Sequence, residues 1–66
     1  MKTPMTTQEA SQRGYEVVAA SPIEVGLVRH GRGIRTWWSR DFNDQLPTLD
    51  HPKIQQAIQI AEDEDR

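Results

Sequence analysis

β-Branched and aromatic residues concentrate in residues 23–42 (IEVGLVRHGRGIRTWWSRDF), where apolar and polar positions alternate. Alternation of this kind marks a half-buried strand, and the central glycines divide it into two. The stretch predicts a β-hairpin over residues 23–40. Gly31-Arg32 is a Gly-X pair, which suits a two-residue type II′ turn because glycine takes positive φ without a Cβ clash. A turn centred there sets His30 opposite Gly33, Val28 opposite Arg35, Gly26 opposite Trp37 and Val25 opposite Trp38. A longer loop from His30 to Gly33 keeps the same pairing. Successive side chains point to opposite faces. Ile23, Val25, Leu27, Ile34, Thr36 and Trp38 then share one face, which reads as the core face. Glu24, Gly26, Val28, Arg35, Trp37 and Ser39 share the other, with Trp37 free to lie across Gly26. A slip of one residue exchanges the faces, so the split into one oily and one mixed face selects this register.

Outside the hairpin the pattern predicts two helices and one more strand. Thr6-Thr7-Gln8-Glu9 has the spacing of a capping box. A short helix over residues 7–13 follows, with Gly14 as its left-handed stop. Ala10 is its only apolar anchor, so it is weak alone. An alternative continues this helix to Ala20 and buries Val17, Val18 and Ala20. Tyr15-Glu16-Val17-Val18 after a glycine reads better as a strand, residues 15–19. Ala20-Ser21-Pro22 interrupts it, and its place in the sheet is left open. Residues 43–49 form a polar connection with Asp44, Pro47 and Thr48 as turn formers. Pro52 suits a first helical turn, with His51 as the non-helical cap and Asp50 beside the free N–H groups. Ile54, Ala57, Ile58 and Ala61 fall at i, i+3, i+4 and i+7, one face of a helix. Gln55, Gln56, Gln59 and Glu62 fall on the far side. Ile60 lies off the stripe and reads as an ordinary exposed isoleucine, with a second contact edge as the alternative. Residues 62–65 put negative charge at the negative end of the helix dipole, so a frayed last turn is expected.

Length and charge narrow the function classes. Sixty-six residues allow one small domain, 1–66, with 1–5 and 62–66 expected to be flexible. A core of this size is worth ~3–5 kcal/mol net, and small folds usually add a staple. There is no cysteine, hence neither a disulfide nor a thiolate metal site, and two histidines are too few for an ordinary zinc site. The remaining staple is association with another chain, or a well-packed tryptophan core. The formal net charge is −2, but residues 25–40 hold four arginines and no acid. From Asp41 onward acids outnumber Lys53 and Arg66, so the molecule is expected to be bipolar. The chain has no apolar run long enough to span a membrane. Its first residues, MKTPMTTQEA, lack the apolar core of a signal peptide. A cytoplasmic protein with no membrane partner is the expectation.

Two motifs bear on chemistry. Leu27-Val28-Arg29-His30-Gly31 resembles the nucleophile motif of the histidine phosphatases, the phosphoglycerate-mutase-like family. That resemblance implies a histidine at position 30 that takes up phosphate. It covers five residues of 66. The family also needs a longer α/β chain, a second histidine and further arginines from distant segments. Here the motif runs into Gly31-Arg32-Gly33 and a returning strand, so His30 reads as a solvated hairpin-tip residue. His51 beside Asp50, with Asp44 nearby, is the other hint, toward a metal. Its simpler role is helix entry. No catalytic, cofactor or metal residue is assigned.

The strongest constellation is Arg29, Arg32, Arg35 and Arg40 with His30, Trp37 and Trp38. Arginine gives planar bidentate donors, tryptophan a stacking plate, and a β-ribbon fits a major groove. In the register above, Arg35 and Trp37 share a face while Arg29 and Trp38 point the other way. The arginines also have acidic partners within the chain, such as the C-terminal acids, Glu16 and Glu24. The fold expectation is α+β: a small antiparallel sheet built on the 23–40 hairpin, a short N-terminal helix, and a C-terminal amphipathic helix packed on one face. The function expectation is a non-catalytic protein–protein interaction module that binds another protein or itself as a homodimer. Its contact residues are Val28, Arg29, His30, Arg32, Arg35 and Trp37, with an exposed Trp37 as anchor. The alternative is a nucleic-acid-binding accessory protein using the same arginines.

Overall fold

The computed structural model describes residues 5–64. The elements are α1 (Thr7–Gln12), β1 (Tyr15–Ser21), β2 (Glu24–Arg29), β3 (Arg32–Trp38), a 3₁₀ turn (Ser39–Phe42) and α2 (Pro52–Glu64). The three strands form one antiparallel sheet in the order β1-β2-β3, which places the first strand beside β2. The fold is α+β, as the pattern predicts. Among the described residues, no helix is long and apolar enough to cross a membrane. The expectation of loose ends at residues 1–4 and 65–66 lies outside the described residues.

Both helices begin where local chemistry places them. The Glu9 N–H donates to the Thr6 hydroxyl oxygen at 3.1 Å, and that hydroxyl donates to the Glu9 carboxylate at 3.4 Å. One free N–H of α1 is thereby satisfied. The helix ends at Arg13, and Gly14 follows at φ 91°. At the start of α2, the Lys53 N–H donates to His51 Nδ1 at 3.1 Å, so His51 caps the helix with its side chain. Asp50 does not take that role; its carboxylate accepts from the Thr48 hydroxyl.

Among the described residues, the core has eight buried hydrophobic side chains: Ala10, Tyr15, Val25, Leu27, Phe42, Ile54, Ala57 and Ile58. Three of them lie on the predicted stripe of α2, whose fourth member, Ala61, packs against the cluster. Directly paired strand residues share a face. Val17, Leu27 and Arg35 therefore lie on the helix side, as do Ala19, Val25 and Trp37. The other face carries Glu16, Val18, Gly26, Val28, Thr36 and Trp38. Phe42 enters the core from the 3₁₀ turn, where its ring meets Trp37 edge-on at 5.8 Å and His51 at 4.9 Å.

The hairpin departs from expectation in its turn and its register. The turn is His30-Gly31, with φ 51° and 80°, the positive pair of a type I′ turn. Arg29 pairs with Arg32, and Val28 with Gly33. The pairing then shifts by one residue, leaving Ile34 as a β-bulge. Beyond it Leu27 faces Arg35, Gly26 faces Thr36, Val25 faces Trp37 and Glu24 faces Trp38. Relative to the expected pairing this is a slip of one residue, so the faces of β3 exchange. Trp37 joins the core side and Trp38 stays 57% exposed.

The causes lie outside the hairpin. The His30 N–H donates to the Gly14 carbonyl at 3.1 Å. The His30 ring lies over Gly14, where a Cβ would stand 2.8 Å from Nε2 and closer still to Nδ1 and Cε1. These contacts fix the tip at His30. Trp37, packed against Phe42, fixes the far end.

Side chains of α2 tie down both ends of the described chain. Gln55 was expected on the exposed side, but it is half-buried and clamps two segments. Its Oε1 accepts from the Met5 N–H at 2.9 Å, and its Nε2 donates to the Met5 and Leu49 carbonyls at 2.6 and 2.8 Å. A frayed last turn was expected too, yet α2 runs through Glu64. Glu62 pairs with Arg13, accepts from the Tyr15 hydroxyl at 3.1 Å and lies 3.5 Å from the Arg29 guanidinium. These partners offset the unfavourable helix dipole there.

Candidate functional site

The Ile34 bulge changes what the hairpin presents. Arg29, Arg32 and Arg35 all line one groove, closed on its other side by the C-terminal half of α2. Alternation alone would have sent Arg29 and Arg35 to opposite faces. The groove has a volume of about 930 Å³. Its apolar lining is Ile34, Ala57, Ile60 and Ala61, with Ile34 38% and Ile60 47% exposed. Its polar lining carries both signs: arginine on the hairpin wall, Glu64 on the helix wall.

The expected contact residues divide into three groups. Arg32 and Arg35 are exposed and form no ion pair with a described residue; Arg35 lies 5.3 Å from the Trp37 ring centroid. His30 is exposed at the tip and lines the groove, with its ring held over Gly14. Arg29 is partly committed inside the molecule. It faces Glu62, its Nε donates to the Arg13 carbonyl at 3.3 Å, and its guanidinium lies 5.1 Å from the Tyr15 ring centroid. Val28 and Trp37 do not line the groove. Val28 is half-buried on the opposite sheet face, across from Glu16 and Gly33. Trp37 is half-buried against the core, so the exposed anchor expected of it is absent.

Ile34 and Trp38 are exposed apolar residues that the expected register placed on the core face, whereas Ile60 is exposed as its place off the α2 stripe indicated. Ile34 and Trp38 carried no such signal, because the expected register buried both. Trp38 stands with Ile23, 58% exposed, beside a smaller hollow completed by Ser39, Arg40 and Asp44.

The groove offers cation–anion and apolar contacts. The phosphatase-like motif sits at the end of β2 and leads through the His30-Gly31 turn into β3. Its Arg29 is engaged by Glu62. At the other hinted site, His51 Nδ1 accepts from the Lys53 N–H and Asp50 accepts from Thr48. Among the described residues, no three His, Cys, Asp or Glu side chains gather as a metal-binding group. No family model, no curated protein and no solved structure matches the chain.

Proposed function

We propose that the chain is a small non-catalytic interaction module whose groove between β3 and α2 receives part of another protein chain. The reading places it in the cytoplasm, with which the absence of cysteine is compatible. The observation that carries the reading is the groove lining: half-exposed Ile34 with exposed Arg32 and Arg35 on one wall, and half-exposed Ile60 with Glu64 on the other. Apolar residues ringed by charge are the anatomy of a protein interface, where the apolar part contributes affinity and the rim fixes orientation. Completing the burial of each isoleucine contributes ~1 kcal/mol, and docked arginines are frequent interface hot spots.

A photoreactive amino acid at Ile34 tests this in cells that express the chain. The reading predicts a discrete protein adduct from position 34, re-formed from purified components, and none from exposed Gln8 on α1. Equal adducts from both positions, or none from either, would sink it.

The convergence of Arg29, Arg32 and Arg35 favours a second reading, contact with nucleic acid. Glu62 and Glu64 on the same side reduce the attraction for a polyanion. Binding to random-sequence DNA or RNA that weakens steeply with salt, and is lost in Arg32→Ala, would favour it over the first.

A further inference from the structure

We infer that the groove's occupant is a second copy of this chain, docked about a two-fold axis; this rests on reading the groove as a protein-binding site. A two-fold interface must be self-complementary, because each residue that one copy offers meets the residue the other offers in return. The charges of the groove satisfy that condition. Its hairpin wall carries basic Arg32 and Arg35 with Ile34, and its helix wall carries Ile60 and acidic Glu64. A two-fold axis near Ile60 packs the isoleucines of both copies together. It also sets Arg35 of each copy against Glu64 of the other. An acidic peptide would leave Glu64 facing like charge, and a basic one would leave the arginines so. A partner carrying both signs in the reverse order sets opposite charge against both Arg35 and Glu64, and this chain is such a partner. The small core supplies a second motive. A chain of this length with eight buried hydrophobic side chains among its described residues, and no cysteine, gains stability by association.

The test uses the reciprocity of a two-fold contact. Wild type, Arg35→Glu, Glu64→Arg and an equimolar mixture of the two variants are run in sedimentation equilibrium from ~10 μM to ~1 mM. Arg35 and Glu64 are exposed, and circular dichroism confirms that each variant is folded. The wild type is expected to dimerise. Each variant alone sets like charges together twice, and its dimerisation is expected to weaken ~100-fold or more. In the mixture, the substituted side chains of the two variants meet as one pair of opposite charges. The native Glu64 of one variant and the native Arg35 of the other form the second pair. The mixture is therefore expected to recover wild-type affinity as a one-to-one heterodimer. Ile60→Asp is expected to be monomeric throughout. A wild type that stays monomeric at ~1 mM, single variants that dimerise like wild type, or a mixture no tighter than its components would each overturn the inference. A monomeric wild type that still yields the position-34 adduct with a different protein would overturn the second copy and leave the groove's protein-binding role standing.

Discussion

Replacing Gly14 with alanine separates two reasons for glycine at that position. Gly14 sits at φ 91°, a conformation L side chains rarely adopt. The His30 ring also occupies the space a Cβ needs, with Nε2 2.8 Å from it and the nearer ring atoms closer. The backbone strain costs about 1–3 kcal/mol. Alanine also narrows the unfolded ensemble, which returns about 0.4–1 kcal/mol. Displacing the ring adds about 1 kcal/mol, since it puts at risk the His30 N–H···O bond to Gly14 at 3.1 Å. Against a total stability of ~3–5 kcal/mol, Gly14→Ala leaves the fold marginal. The same change in a His30→Gly background isolates the strain. Glycine removes the ring and accepts the positive φ of 51° at position 30. The unfolded-state contribution is common to both backgrounds and cancels. Urea denaturation of the four proteins is expected to give a coupling of about 1 kcal/mol, with Gly14→Ala milder when the ring is absent. Equal costs in both backgrounds would refute the packing of His30 on Gly14, and with it the explanation of the turn.

Three further changes, at two positions, probe the contacts that close the core. Gln55→Ala removes three hydrogen bonds to Met5 and Leu49 and is expected to cost about 1–3 kcal/mol. Gln55→Glu is expected to cost at least as much, since it sets a carboxylate against two carbonyls; urea midpoints measure both. Phe42→Ala is expected to cost about 3–5 kcal/mol, comparable to the whole stability of the fold. The near-ultraviolet circular dichroism of Trp37, whose ring meets Phe42 at 5.8 Å, should collapse at temperatures where the wild type retains it.

Elements set by neighbours in sequence were legible. The Thr6–Glu9 cap, the stop at Gly14, the entry of α2 at His51-Pro52 and its Ile54, Ala57, Ile58 stripe all follow from residues within two turns of one another. The face of β3 was not legible. Trp37 and Trp38 are adjacent and chemically alike, so alternation says only that one of them faces inward. Which one does so depends on Gly14 beneath the His30 ring and on Phe42 beside Trp37. Gln55 was misjudged for a related reason: glutamine on a helix reads as exterior until another segment, here Met5, comes to lie across it. The site was half legible. The arginines announced themselves by composition, whereas Ile34 and Ile60 meet only because a bulge and a helix packing bring them to one groove.

The chain's five isoleucines report on every surface at issue. Ile54 and Ile58 are buried, Ile34 and Ile60 line the groove, and Ile23 stands beside exposed Trp38. Methyl resonances of isoleucine-labelled protein, followed as its concentration rises to ~1 mM, test most directly where the molecule makes its contacts. The account predicts that the Ile34 and Ile60 methyls move with concentration while Ile23, Ile54 and Ile58 stay fixed. Movement at Ile23 with Ile34 and Ile60 unmoved would place association on the open sheet face instead, and no movement at any methyl would contradict self-association altogether.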